Sequence, residues 1–511
     1  MKVDLEVHSG ISSHHLKIKT MQMSNTHYML LLSVVVAACS PKPVNVVDVD
    51  TYPAIYPDYI GVTVPSTIAP LNFVMEDSDV SYVDVVAQGV DGSEIHANGH
   101  VVQFDIDEWH AMLGANAGES IEVTVSAKHA GGWRRYKPFA ILVSKDTLDA
   151  YGLTYRRIAP GYEVYGQMGI YQRDLSSFDE EAVFDNSEAS GACVNCHTGN
   201  RTGADAFVFH VRGDNGGTLL NRNGDIKMLN TKTEHTIGSL VYPYWHPDGR
   251  YIAFSTNVTR QAFHQVSDLR LEVFDNESDV VVFDTEKCSL VISPLLNGTK
   301  ERLETFPVYS HDGAYLYFCS ALPKSIPAEL DKVRYELFKI GFNANDGSYG
   351  EAVDTVLSLA REGLSIVHPR PSYDGRYLMF TTCDYGTFPI WHKEADLWIL
   401  DLSNGETRRL DEVNSDDSDS YHNWSRDSHW FVFTSRREDG LYTRLYLANI
   451  DSEGNVSKPF LLPQKSPRDY YDNLLYSYNT PDFVADKIQF NAKDVARRID
   501  SGSRTSVRVD K

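Results

Sequence analysis

Basic residues are scarce for a chain of this size. Lysine and arginine number 47 among 511 residues, against 70 aspartates and glutamates, and the net charge is −23. The sequence has no basic stripe, so a phosphate backbone would be repelled and nucleic acid is not expected as a partner. The acidic run 411–419 lacks the spaced ligands and turn glycine of a calcium loop, which favours a solvated loop.

Cysteine is equally sparse, with six residues, and the last three are too widely spaced to predict a disulfide framework. Two of these three fall in or just after apolar strand patterns, which predicts buried thiols. A Gly-x-Ser-x-Gly elbow is also missing, which argues against a serine peptidase. The six are Cys39, Cys193, Cys196, Cys288, Cys319 and Cys383.

Long apolar runs are limited to YMLLLSVVVAA at 28–38, which is too short to span a bilayer comfortably. The stretch that ends it, VAAC at 36–39, resembles the lipobox of bacterial lipoproteins. The resemblance implies that 1–38 is a signal peptide, that Cys39 is lipidated, and that 39–55 is a tether. An ordinary signal peptide or a buried strand is the alternative. We therefore expect a lipid-anchored protein of the cell envelope, on the outer membrane.

Four segments in the C-terminal half align on one aspartate. In each, an aromatic residue follows three positions later and a phenylalanine six positions later. Three of the four have Asp-Gly, which makes a tight turn, and the apolar run after it predicts a strand buried on both faces. A turn and strand set that recurs every 50 to 60 residues is typical of a β-propeller. The aspartates are Asp248, Asp312, Asp374 and Asp427.

These repeats resemble the WD-like blades of TolB-type propellers, so we predict a propeller of five or six blades over 206–511. We expect 207–230 and 476–490 to combine or flank each other where the ring closes. The alternating stretches of 56–185 predict a β-sandwich-like domain, so the whole chain is all-β. Residues 55–73 and 155–178 resemble exported cytochrome-c-related lipoproteins, a resemblance that brings no established activity.

Between these parts, the segment 186–205 contains CVNCH, with Cys193, Cys196 and His197. Haem c needs two thiols for its vinyl groups and an imidazole for the iron, and Cys-x-x-Cys-His supplies all three. The motif predicts one covalent haem c, with His197 as axial ligand. A thioredoxin-like redox pair, a zinc site and a plain disulfide stay open as alternatives, although no second CxxC is present for zinc.

The other face of the iron has two main candidate ligands. His210 lies 13 residues after His197, on a strand that enters the propeller, and Met168 precedes the motif. A rim position for His210 and core packing for Met168 are the simpler alternatives. An iron without a sixth ligand stays open too. Weaker candidates are Met228, His235 and His246.

The sequence therefore predicts an exported, lipid-anchored, monohaem c-type cytochrome-like protein. We expect electron transfer or a haem-dependent accessory role, with the propeller as a platform for a redox or envelope protein partner. The alternatives are an envelope scaffold without redox function and a polysaccharide-active propeller enzyme. The enzyme would need a metal-binding histidine cluster in the channel, for which four histidines lie near equivalent blade positions: His246, His311, His368 and His422.

Overall fold

A computed structural model describes residues 41–159, 166–189, 192–265, 269–298, 300–489 and 491–510 of the chain. The predicted signal peptide and Cys39 lie outside the described residues. Residues 42–511 form one compact unit. No described helix is long and apolar enough to cross a bilayer.

The N-terminal part contains ten strands and one helix in two sheets. Strand β8 lies at the centre of a seven-stranded sheet, and β2, β4 and β7 form a second sheet of three. The Asp105 carboxylate caps α1 by accepting hydrogen bonds from the first helical amides, Asp107 and Glu108. The elements are β1 (Val47–Asp48), β2 (Ile55–Tyr56), β3 (Thr63–Val64), β4 (Phe73–Met75), β5 (Tyr82–Gly89), β6 (Glu94–Gly99), β7 (Val101–Val102), α1 (Ile106–Ala115), β8 (Ser120–His129), β9 (Gly132–Arg135) and β10 (Phe139–Val143).

Three strands follow the N-terminal domain, and then come five complete four-stranded sheets. The three are β11 (Gly152–Ile158), β12 (Met168–Asp174) and β13 (Glu180–Asp185). We number these five sheets blades 2 to 6, and within each sheet the four strands pair antiparallel. Blade 2 comprises β14 (Cys193–Asn200), β15 (Gly203–Arg212), β16 (Gly217–Arg222) and β17 (Asp225–Asn230); blade 3 comprises β18 (Leu240–Trp245), β19 (Tyr251–Phe263), β20 (Leu271–Asp284) and β21 (Ser289–Val291); blade 4 comprises β22 (Leu303–Tyr309), β23 (Tyr315–Ala321), β24 (Tyr335–Asn343) and β25 (Ser348–Leu357); blade 5 comprises β26 (Ser365–Pro371), β27 (Tyr377–Cys383), β28 (Asp396–Asp401) and β29 (Thr407–Arg409); and blade 6 comprises β30 (Asp419–Trp424), β31 (Trp430–Ser435), β32 (Arg444–Asn449) and β33 (Phe460–Leu461).

The ring closes with a strand from the C-terminal end. After α2 (Pro467–Asn473), β34 (Ser477–Val484) pairs antiparallel with β11, and the order β34-β11-β12-β13 makes blade 1. The first strand of each blade contacts the first strand of the next around the whole ring. The described residues thus form six blades, which settles the predicted five or six. The all-β fold with a propeller is confirmed.

One expectation about boundaries needs correction. Strands β11 to β13 do not belong to the sandwich-like domain, because they are strands of blade 1. Their alternating pattern is the same in either context, so it could not assign them. The two predicted closing segments flank each other, which is one of the two arrangements expected: residues 207–230 lie in blade 2, and 477–484 form the inner strand of the adjacent blade 1.

The C-terminal tail runs along the outside of the ring. Helix α3 (Ala492–Asp500) is followed by β35 (Thr505–Ser506) and β36 (Arg508–Asp510). Strand β35 adds a parallel fifth strand to blade 2, and β36 adds one to blade 3. Short 3-10 turns occupy Asn186–Glu188, Leu330–Lys332 and Pro389–Trp391.

The N-terminal domain packs against blade 6, and the two share one hydrophobic core. The Tyr59 hydroxyl donates to the Leu461 carbonyl at 3.3 Å, and Lys458 Nζ lies 2.7 Å from Asp58 Oδ2. Trp424 and Trp430 of blade 6 are fully buried in this core. Because burial of apolar surface stabilises the folded state, the N-terminal domain contributes to the stability of the propeller.

Candidate functional site

The CVNCH motif is the inner strand of blade 2. Strand β14 begins at Cys193 and pairs antiparallel with β15, and its register shifts between Asn195 and Thr198. Cys196 at this bulge has a φ of 46°, a left-handed conformation that is uncommon for a residue with a side chain. The segment 186–205 was expected to be a separate haem segment, but its residues 193–200 form strand β14 of blade 2. The polar residues that suggested a separate segment lie on this bulged strand.

The other five blades have the same bulge at the same place. In all six, the first bulge residue has a φ between 46° and 52°, and the second is proline in four blades and histidine in two. The six pairs are Cys196-His197, Tyr242-Pro243, Phe306-Pro307, His368-Pro369, Tyr421-His422 and Thr480-Pro481. Three positions before each pair stand Cys193, Ser239, Leu303, Ser365, Ser418 and Ser477.

The three motif side chains have different surroundings. Cys193 lines the mouth of the propeller channel, whereas Cys196 and His197 line a second cavity deeper inside. Burial raises the pKa of the Cys196 thiol. The His197 ring is buried beside Phe207, 5.9 Å between centroids, and neither ring nitrogen has a hydrogen-bond partner. Burial lowers its pKa to about 3; the Thr154 backbone opposes this shift but does not lie in hydrogen-bonding geometry.

As folded, these residues do not fit a haem iron site. The imidazole lines the inner cavity with Cys196, whereas Cys193 lines the mouth cavity, so the ring and both thiols do not face one cavity. All five described cysteines are free thiols, which leaves the disulfide alternative unformed. Among the described residues, no group of three or more histidine, cysteine or acidic side chains could hold a metal ion. These observations on the thiols, the imidazole and metal-binding groups do not test haem attachment, which stays a prediction.

The predicted sixth ligands, His210 and Met168, are both buried. His210 is on β15 opposite Asn195, buried rather than exposed at the rim, and burial lowers its pKa to about 3. Its Nδ1 is 3.5 Å from Thr218 Oγ1. Met168 is buried at the start of β12. Neither is among the described lining residues of the two channel cavities.

The mouth cavity has a volume of about 480 Å³ and an unusual charge for this acidic chain. Three arginines line it, Arg156, Arg212 and Arg436, and none of its described lining side chains is a carboxylate. Aromatic and aliphatic side chains form the rest of the wall. They include Phe263, Leu271, Val273, Phe388, Ile390 and Trp391.

Two of these arginines are buried without a carboxylate bonded to them. Arg436 is 2% exposed, its Nε has no hydrogen-bond partner, and its guanidinium lies 3.1 Å from the centre of the Trp391 ring. Burial lowers the pKa of Arg436 to about 9, although attraction to Asp417 and Asp439 opposes the shift, so it remains a cation at neutral pH. Arg156 Nε is also unpartnered, and its Nη2 reaches only sulfur, at 3.5 Å from Met168 and 3.9 Å from Cys193. A buried cation without such a partner is costly, which favours an anion at this place.

A long hairpin from blade 3 forms one wall of the mouth. The strands β19 and β20 extend past their blade, and Leu271 packs against Ile390 of blade 5. Beside this contact, the His392 ring lies between Glu394, 2.9 Å away, and Glu272 of the hairpin, 3.5 Å away. Although burial opposes it, hydrogen bonding and attraction to the two glutamates raise the pKa of His392 to about 9.

The inner cavity is small and polar, about 100 Å³. Asp482 accepts hydrogen bonds from Thr198 Oγ1 and Asn423 Nδ2, both at 2.9 Å. Burial raises the pKa of Asp482 to about 6. His368 and His422 line this cavity, as two of the four histidines considered above.

The other two histidines, His246 and His311, are not described lining residues of the channel cavities. Each packs against an Asp-Gly turn. His246 Nε2 is 3.2 Å from the Gly313 carbonyl oxygen, and a Cβ at Gly375 would clash with the His311 ring. They therefore join neighbouring blades rather than forming a site.

Arg156, Arg436 and Trp391 were missed as site residues by sequence reasoning. A weak signal existed for Arg436, which follows Phe433 of the fourth repeat by three residues and so continues a buried strand with a charge. Arg156 and Trp391 have no such signal, because they stand outside the aligned repeats.

Protein-family models and curated proteins gave no match. Similar solved structures include TolB from Acinetobacter baumannii, with 13% identity and a TM-score of 0.41, over 74% of this chain and 85% of that one. The periplasmic gluconolactonase PpgL of Pseudomonas aeruginosa has 12% identity and 0.35, over 79% and 99%.

Prolyl oligopeptidase B from Galerina marginata has 14% identity and a TM-score of 0.34, over 59% of this chain. The chain spans only 44% of that enzyme's length. All TM-scores are below 0.5, so the propeller fold rests on the sheet topology, and no activity is transferred.

Proposed function

We propose that this protein is a ligand-binding β-propeller that holds an organic anion in the mouth of its channel. The observation that carries the proposal is the pair of buried arginines, Arg156 and Arg436, on a cavity without a described carboxylate. Hydrogen bonds to charged groups contribute about 1.5–3 kcal/mol each, roughly twice as much as neutral ones. The apolar side chains that share the cavity with the arginines suit a ligand with a hydrophobic body and an anionic group.

The cavity has the size and make-up of a small-molecule site. Its volume of about 480 Å³ falls within the usual range of ~300–1,000 Å³ for ligand pockets. Trp391 and Phe388 supply aromatic surface, and Arg436 lies over the Trp391 ring. A flat apolar group would pack on this wall with its anionic group toward the arginines.

A pair of fluorescent probes tests the proposal. 8-Anilinonaphthalene-1-sulfonate carries a sulfonate, and N-phenyl-1-naphthylamine is the same ring system without it. We expect the sulfonate probe to bind more tightly to the full chain, by at least tenfold. Arg156→Gln and Arg436→Gln should each weaken the sulfonate probe by about 10–100-fold and leave the neutral probe unchanged.

Arg497→Gln is the matched control, because the Arg497 side chain is 79% exposed on α3. It should change neither probe. Equal affinity of both probes for the unmodified protein, or equal weakening of both by the cavity variants, would contradict an anion site.

A covalent haem with electron transfer is the second candidate function. One observation favours it: Cys193 lies on a cavity whose arginines could pair with the carboxylates of a haem. The position of His197 opposes it, since the ring lines the inner cavity and not the mouth cavity of Cys193. Protein exported by a host that matures c-type cytochromes should show a pyridine haemochrome of one haem per chain; a colourless product rejects this candidate.

The expected envelope location is also a proposal. It rests on the lipobox-like stretch that ends at Cys39, and a lipid-anchored propeller would present its surface to a redox or envelope protein partner. Metabolic labelling with a radioactive fatty acid should label the full chain and not its Cys39→Ser variant. Equal labelling of both would remove Cys39 as the anchor.

A further inference from the structure

We infer that Cys193 is a thiol–disulfide exchange site for small disulfides that carry carboxylates. The inference rests on the proposed function, because the arginines that would hold an anion would also position the incoming disulfide. Cys193 is half-buried and is the cysteine among the described lining residues of the mouth cavity. The independent sign of a ligand is Arg436, 2% exposed, with an unpartnered Nε on the same cavity.

Comparison with the sister blades shows that Cys193 is not needed for the blade fold. The equivalent serines bond to backbone: Ser365 Oγ donates to Gly386 at 2.6 Å, and Ser418 Oγ donates to Pro389 at 3.1 Å. Ser477 Oγ accepts from the Thr443 amide at 3.2 Å. The Cys193 thiol instead has Arg156 Nη2 at 3.9 Å. The Cys193 sulfur has no described hydrogen bond to the backbone and lines a ligand-sized cavity, so it is available to react.

The other cysteine of the motif cannot resolve a mixed disulfide at Cys193. Along an extended strand, three residues separate the two Cα atoms by about 10 Å, beyond the ~7 Å limit for a disulfide. Cys196 is also buried and lines the inner cavity, whereas Cys193 lines the mouth cavity, so its sulfur is not placed to attack a mixed disulfide there. The adduct at Cys193 therefore persists instead of passing to Cys196.

The small disulfide is itself the oxidant in the exchange step, so no other co-reactant is needed. The Cys193 sulfur, as thiolate, attacks one sulfur of the reagent, and a new S–S bond forms as the reagent's own S–S bond breaks. The departing half leaves as a thiolate and takes up a proton. Cys193 is oxidised to the mixed disulfide, and the released half is reduced to a thiol. Carboxylates on the retained half would lie against Arg156 and Arg436.

Intact-mass and peptide mass spectrometry of the full chain test the inference. The probes are glutathione disulfide, which carries carboxylates, and 2-hydroxyethyl disulfide, which is neutral. We expect one adduct, on Cys193. The ratio of the rate constant with glutathione disulfide to that with 2-hydroxyethyl disulfide should be at least tenfold higher for the protein than for a free small thiol. Arg156→Gln and Arg436→Gln should remove this preference, Arg497→Gln should keep it, and Cys193→Ser should abolish the adduct.

An adduct on another cysteine, or a preference that survives both arginine variants, would overturn the inference. A haem found on Cys193 would overturn it as well, because the thiol would be consumed. If the sulfonate probe binds through the arginines and no adduct forms, the exchange inference alone fails. If neither occurs, the anion site fails with it.

Discussion

Replacing His197 by proline should stabilise the propeller, although it places proline inside a strand. Four sister blades have proline at this bulge position, after a residue with the same left-handed φ. The ladder of blade 2 skips this position, because the register shifts between Asn195 and Thr198. The usual cost of proline in a sheet is a lost ladder hydrogen bond, and it does not apply here.

The magnitude follows from the buried ring. Both ring nitrogens of His197 lack partners, and each unpaired buried polar group costs about 1–3 kcal/mol. Proline removes both and adds about 0.4–1 kcal/mol by restricting the unfolded chain. Against this, a smaller side chain packs less well on Phe207, at roughly 1 kcal/mol per lost methylene. We expect a net gain of about 1 kcal/mol in the free energy of unfolding.

Equilibrium denaturation in guanidinium chloride measures this change, with two control variants. His197→Ala removes the ring without the proline restriction and should fall about 0.4–1 kcal/mol below His197→Pro. Thr198→Pro, one residue later, interrupts a ladder pair with Val208 and should destabilise by about 3 kcal/mol. A loss of more than about 2 kcal/mol in His197→Pro would refute the equivalence of blade 2 with its sisters.

Two further predictions concern the hairpin and the ring closure. The pKa of His392 is raised to about 9, above its unfolded value, so its stabilising contribution is full below pH ~6.5 and is lost as pH rises through 9. His392→Gln should therefore lower the free energy of unfolding by roughly 2 kcal/mol at pH 6 and by almost nothing at pH 10; a pH-independent difference would contradict the ion-pair account. A chain that ends at residue 476 lacks β34 and should lose the cooperative melting transition seen by circular dichroism, whereas one that ends at residue 502 loses only β35 and β36 and should melt at a lower temperature. An unchanged transition in the shorter chain would show that closure does not stabilise the ring.

Four blades could be predicted because each repeats a local signal, the turn aspartate followed by a buried aromatic strand. Blade 2 was expected only through the segment 207–230, because it has no Asp-Gly turn of the repeated type, and its inner strand has Cys196-His197 where four sisters have proline second. Blade 1 was expected only through 476–490, because its inner strand β34 pairs with β11, which lies more than 300 residues earlier in the sequence.

The mouth cavity was beyond sequence reasoning for a related reason. Arg156 and Arg436 belong to different blades, and only closure of the ring places both on one cavity. The cysteines and histidine of the motif were visible, and their chemistry was read from spacing alone. Spacing does not tell which way each side chain faces, and here the bulge at Cys196 puts Cys193 and His197 on different cavities.

The pairing of β34 with β11 also sets an order of events for a chain made from its N-terminus. Blades 2 to 6 can each complete four strands from contiguous sequence, but blade 1 waits for residues 477–484. The tail strands that clamp blades 2 and 3 come later still. The growing chain would therefore keep an open ring until residues 477–484 had been made. The channel mouth, which has side chains of blades 1 and 6 on its wall, would form only after blades 2 to 6.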